Sequence, residues 1–161
     1  MAMLRDWGQE RKYHHVLKGY NYRMDAFQSA ILRVKLRHLE AWTEARRARV
    51  KRYSELLSKY ESATPKEMFD CRHVYHVYAI RVPRRNELQQ SLHASNIGTG
   101  IHYPIPVHLQ PAYADLGYGI GSFPEAEAAS REVLSLPLFP ELTSQQQELV
   151  GRMIVENWPE T

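Results

Sequence analysis

Residues 19–42 read GYNYRMDAFQSAILRVKLRHLEAW. From about Met24 the apolar positions recur at helical spacing. Phe27, Ile31 and Val34 fall on one stripe, and Leu32, Leu36 and Leu39 on its neighbour. So wide an apolar face belongs to a helix buried on more than one side. Farther on, Val50, Tyr53, Leu57 and Tyr60 form a single stripe, so the continuation is amphipathic. With no proline between Met24 and Thr64, the segment is one long helix, or two separated by a bend in the polar TEARRAR run at 43–49. Residues 62–65, SATP, end it.

The second half changes character. HVYHVYAIRV, residues 73–82, is rich in β-branched and aromatic residues and reads as a strand. Asn86 is placed to cap a short helix over ELQQSLHAS. IGTGIHY, residues 97–103, reads as a short extended run. PEAEAASREVL, residues 124–134, reads as a helix with Pro124 in its first turn. SLPLF, residues 135–139, reads as an edge-like strand, because Pro137 cannot donate to a sheet. Thr143 and Gln146 form a capping-box pattern for a last helix from Gln145 to about Trp158. The predicted class is α+β: a long helical segment, then a small, mainly antiparallel sheet with helices on one side. The predicted division is 1–65 and 66–161.

Composition narrows the function classes. The chain has 161 residues, 43% hydrophobic and 24% charged, which suits a soluble globular protein with a real core. No apolar run is long enough to span a membrane, and the first residues lack the apolar core of a signal peptide. The single cysteine, Cys71, excludes an internal disulfide and fits a reducing, cytoplasmic setting. Residues 1–60 carry 14 Lys/Arg against 6 Asp/Glu, and residues 61–161 carry 7 against 12. The basic first part raises nucleic acid as a partner. However, Glu40, Glu44 and Glu55 interrupt its arginines and no stacking platform accompanies them, so a solvated helix face is the better reading.

No nucleophile motif stands out, no catalytic residue is assigned, and no metal site is expected. His73 and His76 are three apart in a predicted strand and point to opposite faces. Two stretches remain. GTGIHYPIPVHLQPAY, residues 98–113, sets His102, Tyr103 and His108 on a backbone stiffened by three prolines. That suits a small-molecule site, and equally a buried connector. Asn21 and Arg23 stand at a helix entrance, where hydrogen bonds, charge and the positive helix end suit a phosphate. The ordinary alternative is that Asn21 only caps its turn.

Four blocks together resemble one family. Residues 19–53 resemble the stretch that follows the cofactor domain in sugar aminotransferases of the DegT/StrS family. Residues 98–113 resemble a second hallmark, residues 135–150 the usual C-terminal end, and residues 3–15 the segment before the first hallmark. The resemblance implies the C-terminal part of a fold-type-I, pyridoxal 5'-phosphate-dependent homodimer. Such an enzyme transfers an amino group, commonly from glutamate, to a keto group on a nucleotide-linked sugar. It implies that Asn21, and with it Arg23, reaches the phosphate of the partner subunit's cofactor. It also implies that His102 and Tyr103 border the sugar pocket with His108 nearby. A member of this family carries a domain before this point that supplies the Schiff-base lysine. None of Lys12, Lys18, Lys35, Lys51, Lys59 and Lys66 lies in that lysine's sequence context. The expectation is therefore a fragment, a truncated product or half of a split enzyme, inactive alone and active with a chain bearing the cofactor domain. The alternatives are a non-catalytic dimerisation or interaction remnant and, behind it, a basic-helix nucleic-acid binder.

Overall fold

The structure is a computed structural model that describes residues 1–159, with the backbone alone at Glu61 and Ser62. Glu160 and Thr161, the end of the predicted second domain, lie outside the described residues. The chain forms two compact units, Met1–Glu40 and Ala41–Thr161.

In the first unit a short helix α1 (Ala2–Arg5) leads into an antiparallel pair, β1 (Gln9–Arg11) and β2 (His14–His15). The chain then crosses back over its own start. Trp7 N–H donates to Tyr20 C=O at 3.0 Å, and Tyr20 N–H to Leu4 C=O at 2.7 Å. Glycine permits that crossing. A Cβ on Gly8 would lie 1.8 Å from the Leu17 carbonyl oxygen, and one on Gly19 would lie 2.1 Å from the Gly8 nitrogen.

Helix α2 (Ala26–Lys35) starts at Asp25, whose carboxylate accepts from Phe27 N–H at 2.7 Å and Gln28 N–H at 3.4 Å. The Gln28 side chain accepts in return from Asp25 N–H, completing a capping box, a feature typically worth about 1 kcal/mol. Every α2 residue is solvent-exposed. Phe27 is 82% exposed and Ile31 59%, so the two apolar stripes lie bare in this chain.

A 3₁₀ turn at Leu36–His38 separates α2 from α3 (Leu39–Leu56). Of the two readings left open, one helix or two with a bend at 43–49, the segment is interrupted, but earlier than 43–49. TEARRAR consists largely of strong helix formers and stays regular. From Ala41 onward the helix belongs to the second unit, and Val50, Tyr53 and Leu57 enter that unit's core.

That core surrounds an antiparallel pair, β3 (Tyr78–Arg81) and β4 (Val133–Leu136), in register Tyr78↔Leu136 to Arg81↔Val133. Gly100 adds a single antiparallel bridge to Ser135. Helix α4 (Arg85–Ala94) packs on β4 and on α6 (Ser144–Glu156), and α5 (Pro124–Glu132) packs on β3. Tyr53 and Tyr78 are fully buried and stacked at 5.2 Å, with the Tyr53 hydroxyl donating to Pro137 C=O at 3.0 Å. Burial, with a smaller contribution from Tyr78, pushes the Tyr53 phenol well above its usual range. The α+β class with an antiparallel sheet agrees with the sequence expectation.

Several boundaries differ for local reasons. The strand expected over residues 73–82 shrinks to Tyr78–Arg81, because side chains take the earlier backbone groups. Glu67 accepts from His73 N–H at 2.7 Å, Arg47 donates to His73 C=O at 2.7 Å, and His73 Nδ1 accepts from Tyr75 N–H at 2.8 Å. Asn86 caps nothing. Arg84 precedes α4 with φ 52, and the Asn86 side chain accepts from Arg85 Nε at 2.7 Å. The extended run at 97–103 pairs only at Gly100, and β4 stops before Pro137 as a residue without an N–H requires. Thr143 and Gln146 make the expected capping box. No helix among the described residues is long and apolar enough to cross a membrane.

Candidate functional site

In the second unit the proline-rich loop walls a cavity of about 640 Å³. His102, Tyr103 and His108 all line it, together with Tyr118, Phe123 and small residues of α5. The loop keeps its shape through two 3₁₀ turns, Val107–Leu109 and Pro111–Leu116, the second closed by Gly117 at φ 71.

Its main fastening is one carboxylate. Glu127, in the first turn of α5, accepts from Gly121 N–H at 2.8 Å, Phe123 N–H at 3.3 Å and His108 Nε2 at 3.1 Å. A carboxylate only accepts, so His108 carries a proton on Nε2. The side chains of His108 and Glu127 are 8% and 7% exposed. Burial alone would push the Glu127 carboxyl up. The backbone donors of Gly121 and Phe123, together with His108, outweigh it and hold the group below the usual carboxylate range. The Phe123 ring meets His108 edge-on at 4.8 Å and Tyr118 at 5.0 Å. His108 therefore borders the cavity while its Nε2 is engaged in holding the rim. Glu127 was not singled out from sequence, although an acid in the first turn after a glycine-rich loop is a fair signal of a loop anchor.

His102 and Tyr103 are exposed at the rim, their rings edge-on at 5.5 Å. The His102 Nδ1 lies 2.8 Å from Ser135 Oγ. A smaller cavity of about 340 Å³ shares His102 and adds His76, Thr99, Gly100 and Ser135.

Asn21 and Arg23 lie in the first unit and line a separate cleft of about 1020 Å³ with Arg5, Asp6, Glu10 and Gln28. Arg23 Nη2 donates to Asp6 Oδ1 at 3.0 Å in an exposed pair, a class of interaction worth at most about 1 kcal/mol. The Asp25 carboxylate already occupies the Phe27 and Gln28 N–H groups, so an anion here would rely on the Asn21 and Arg23 side chains.

Two arginines of the basic segment are paired with carboxylates. Arg47 holds Glu67 through both terminal nitrogens, at 2.7 and 3.2 Å, and Arg52 pairs with Glu55 and Glu148, each at 3.0 Å. Among the described residues, no three His, Cys, Asp or Glu groups cluster as metal ligands. All six lysines are exposed.

Residues 1–155 match the model of the DegT/DnrJ/EryC1/StrS aminotransferase family, and the chain belongs to that family. It is 48% identical over 157 residues to a protein of Geobacillus stearothermophilus named pleiotropic regulatory protein, covering 96% of this chain and 42% of that one. It is 43% identical over 147 residues to the dTDP-3-amino-3,4,6-trideoxy-alpha-D-glucose transaminase of Streptomyces venezuelae, covering 91% and 39%. Its structure matches the crystal structure of S. venezuelae DesV in complex with a ketimine intermediate. The TM-score is 0.88 at 39% identity, with 99% of this chain and 43% of that one covered. The chain thus spans about two fifths of the length of these relatives. Aminotransferases of this family are pyridoxal-phosphate-dependent.

The depressed Glu127 carboxyl carries a pH signature. Unfolded glutamate titrates near about 4.3. A folded value below that adds stability at higher pH, and the contribution is lost as pH falls through the folded value. Urea unfolding across a pH series should show Glu127→Gln less stable at neutral pH and less sensitive to acid than the parent. Identical pH dependence in the two proteins would contradict the anchoring role.

Proposed function

We propose that these residues form the C-terminal part of an aminotransferase that moves an amino group, from glutamate, to the keto carbon of a nucleotide-linked sugar. The observation that carries the reading is the convergence of His102, Tyr103 and His108 on one cavity, in a chain of this family. When bound, pyridoxal phosphate supplies the electron sink such a transfer needs. The residues present fit only its phosphate end. Asn21 and Arg23 can donate to phosphate oxygens, with Arg23 exchanging Asp6 for the anion, and on this reading the phosphate is that of the partner subunit's cofactor. The His102 imidazole and Tyr103 hydroxyl hold polar groups of the sugar. His108, tied to Glu127, keeps the rim rigid, and the apolar lining excludes water around the bound sugar.

The transfer also needs a lysine in a desolvated setting, where its amine loses its proton. Six exposed lysines do not offer one, so these 161 residues alone are inactive. They act with a chain that carries the cofactor domain, or as part of one. The exposed apolar face of α2 supports association between subunits and equally suits the second reading, a non-catalytic interaction module.

Three measurements test this. The purified 161-residue protein, gel-filtered after incubation with pyridoxal phosphate, should retain no stoichiometric cofactor absorbance; one equivalent retained on a single lysine would remove the claim of inactivity. Sedimentation should show self-association that weakens in Phe27→Glu/Ile31→Glu, whereas a stable monomer at high concentration would count against the α2 interface. In a full-length enzyme bearing these residues, His102→Ala should lower kcat/KM for the sugar substrate by roughly 10- to 100-fold without loss of cofactor. Asn21→Ala should weaken cofactor binding by about tenfold, the scale of one charge-assisted hydrogen bond. If both variants behave as the parent, the assignment of both motifs falls.

A further inference from the structure

We infer that Ser135 and Gly100 are positioning residues that hold the His102 imidazole in one place and one tautomer, with Nε2–H as its outward donor. The functional meaning rests on the reading of His102 as a sugar-contacting residue; the geometry does not.

Ser135 stands between Ala79 of β3 and Gly100. Gly100 N–H donates to Ser135 C=O at 3.0 Å, and Ser135 N–H to Gly100 C=O at 2.7 Å. This fixes the Ser135 backbone, and the residue is 5% exposed. Its hydroxyl meets His102 Nδ1 at 2.8 Å. Gly100 and His102 are two apart on an extended run, and the imidazole leans back over the glycine. A Cβ at position 100 would lie 2.7 Å from His102 Cε1, closer than real contacts allow. The ring therefore rests in a slot with a glycine floor and a serine wall.

The tautomer follows from satisfying the hydroxyl. Ser135 Oγ carries one proton on a residue that is 5% exposed, and a shielded donor left without an acceptor is costly. Among the described residues its partner is His102 Nδ1, so the O–H donates there and Nδ1 accepts. In the neutral ring the proton then sits on Nε2. Thus His102 offers the cavity rim a hydrogen-bond donor suited to an acceptor oxygen, such as a sugar hydroxyl or carbonyl. It does not offer a free basic nitrogen.

The test reads the tautomer directly in the 161-residue protein labelled with ¹⁵N-histidine, above the imidazole's titration range. Long-range ¹H–¹⁵N spectra distinguish protonated from bare ring nitrogens. The parent should show His102 with Nε2 protonated and Nδ1 bare. Ser135→Ala should cut that preference about fivefold, the equivalent of about 1 kcal/mol for one neutral hydrogen bond. Ser135→Thr, which keeps the hydroxyl, should restore it, and Gly100→Ala should abolish it by displacing the ring. A parent with Nδ1 protonated, or a Ser135→Ala spectrum unchanged at His102, would overturn the inference. If instead the tautomer results hold but His102→Ala leaves sugar turnover intact, the proposed function fails while the positioning of the ring stands.

Discussion

The rim of the cavity behind the proline-rich loop depends on one buried carboxylate. Glu127 accepts from two backbone amides and from His108, so a helix end, a glycine-rich turn and the proline loop share one anchor. Each partner needs the other two. Without the amides, burial would push the carboxyl toward its neutral form. Without His108, the loop would lose its link to α5. Without the carboxylate, the Gly121 and Phe123 amides and the His108 donor would need other acceptors in a region of aromatic rings. The rigidity of the rim is therefore a property of the set, and the prolines add to it by narrowing the backbone's alternatives.

The first unit is organised on the opposite principle. Among the described residues, Arg23 is held by an exposed ion pair with Asp6, and Asn21 by a backbone bridge. On the proposed reading, weak pairing has a use, because Arg23 would release Asp6 to a different anion. An Arg locked into a buried bidentate pair would have to sacrifice that pair before touching a phosphate. Exposure of α2 belongs to the same picture. A helix whose apolar stripes are solvent-exposed gains little from burial and leans on its cap.

How far the residues announce this structure varies with the kind of interaction. Capping chemistry is local, so Thr143 and Gln146 were readable, and Asp25 with Gln28 obeyed the same rule. Helical periodicity located the α2–α3 segment but not its 3₁₀ turn at Leu36, and it could not tell that the α2 stripes lie exposed while Val50, Tyr53 and Leu57 are buried. The strand at 73–82 was overread because Arg47 and Glu67, distant in sequence, claim the His73 backbone. His102, Tyr103 and His108 stood out by residue type and proline context, and they do share a cavity. Their supports, Glu127 and Ser135, lie 19 and 33 residues away from the histidines they hold, beyond what local spacing can reveal.

Those supports also bear on selectivity. Most of the cavity lining is aromatic or aliphatic, and such walls discriminate polar ligands poorly, since one methylene or hydroxyl changes binding by only about 1–3 kcal/mol. With His108 Nε2 committed to Glu127, the polar atoms left along this lining are chiefly the outer nitrogen of His102 and the hydroxyls of Tyr103, Tyr113 and Tyr118. On the proposed reading, recognition of a sugar there rests on these few hydrogen-bonding groups, and a donor is selective only when its direction is constrained. The Gly100 floor and the Ser135 hydroxyl constrain the imidazole, whereas Tyr103 stands 73% exposed. Selectivity on this wall of the site therefore falls mainly to the ring that the sheet itself holds in place.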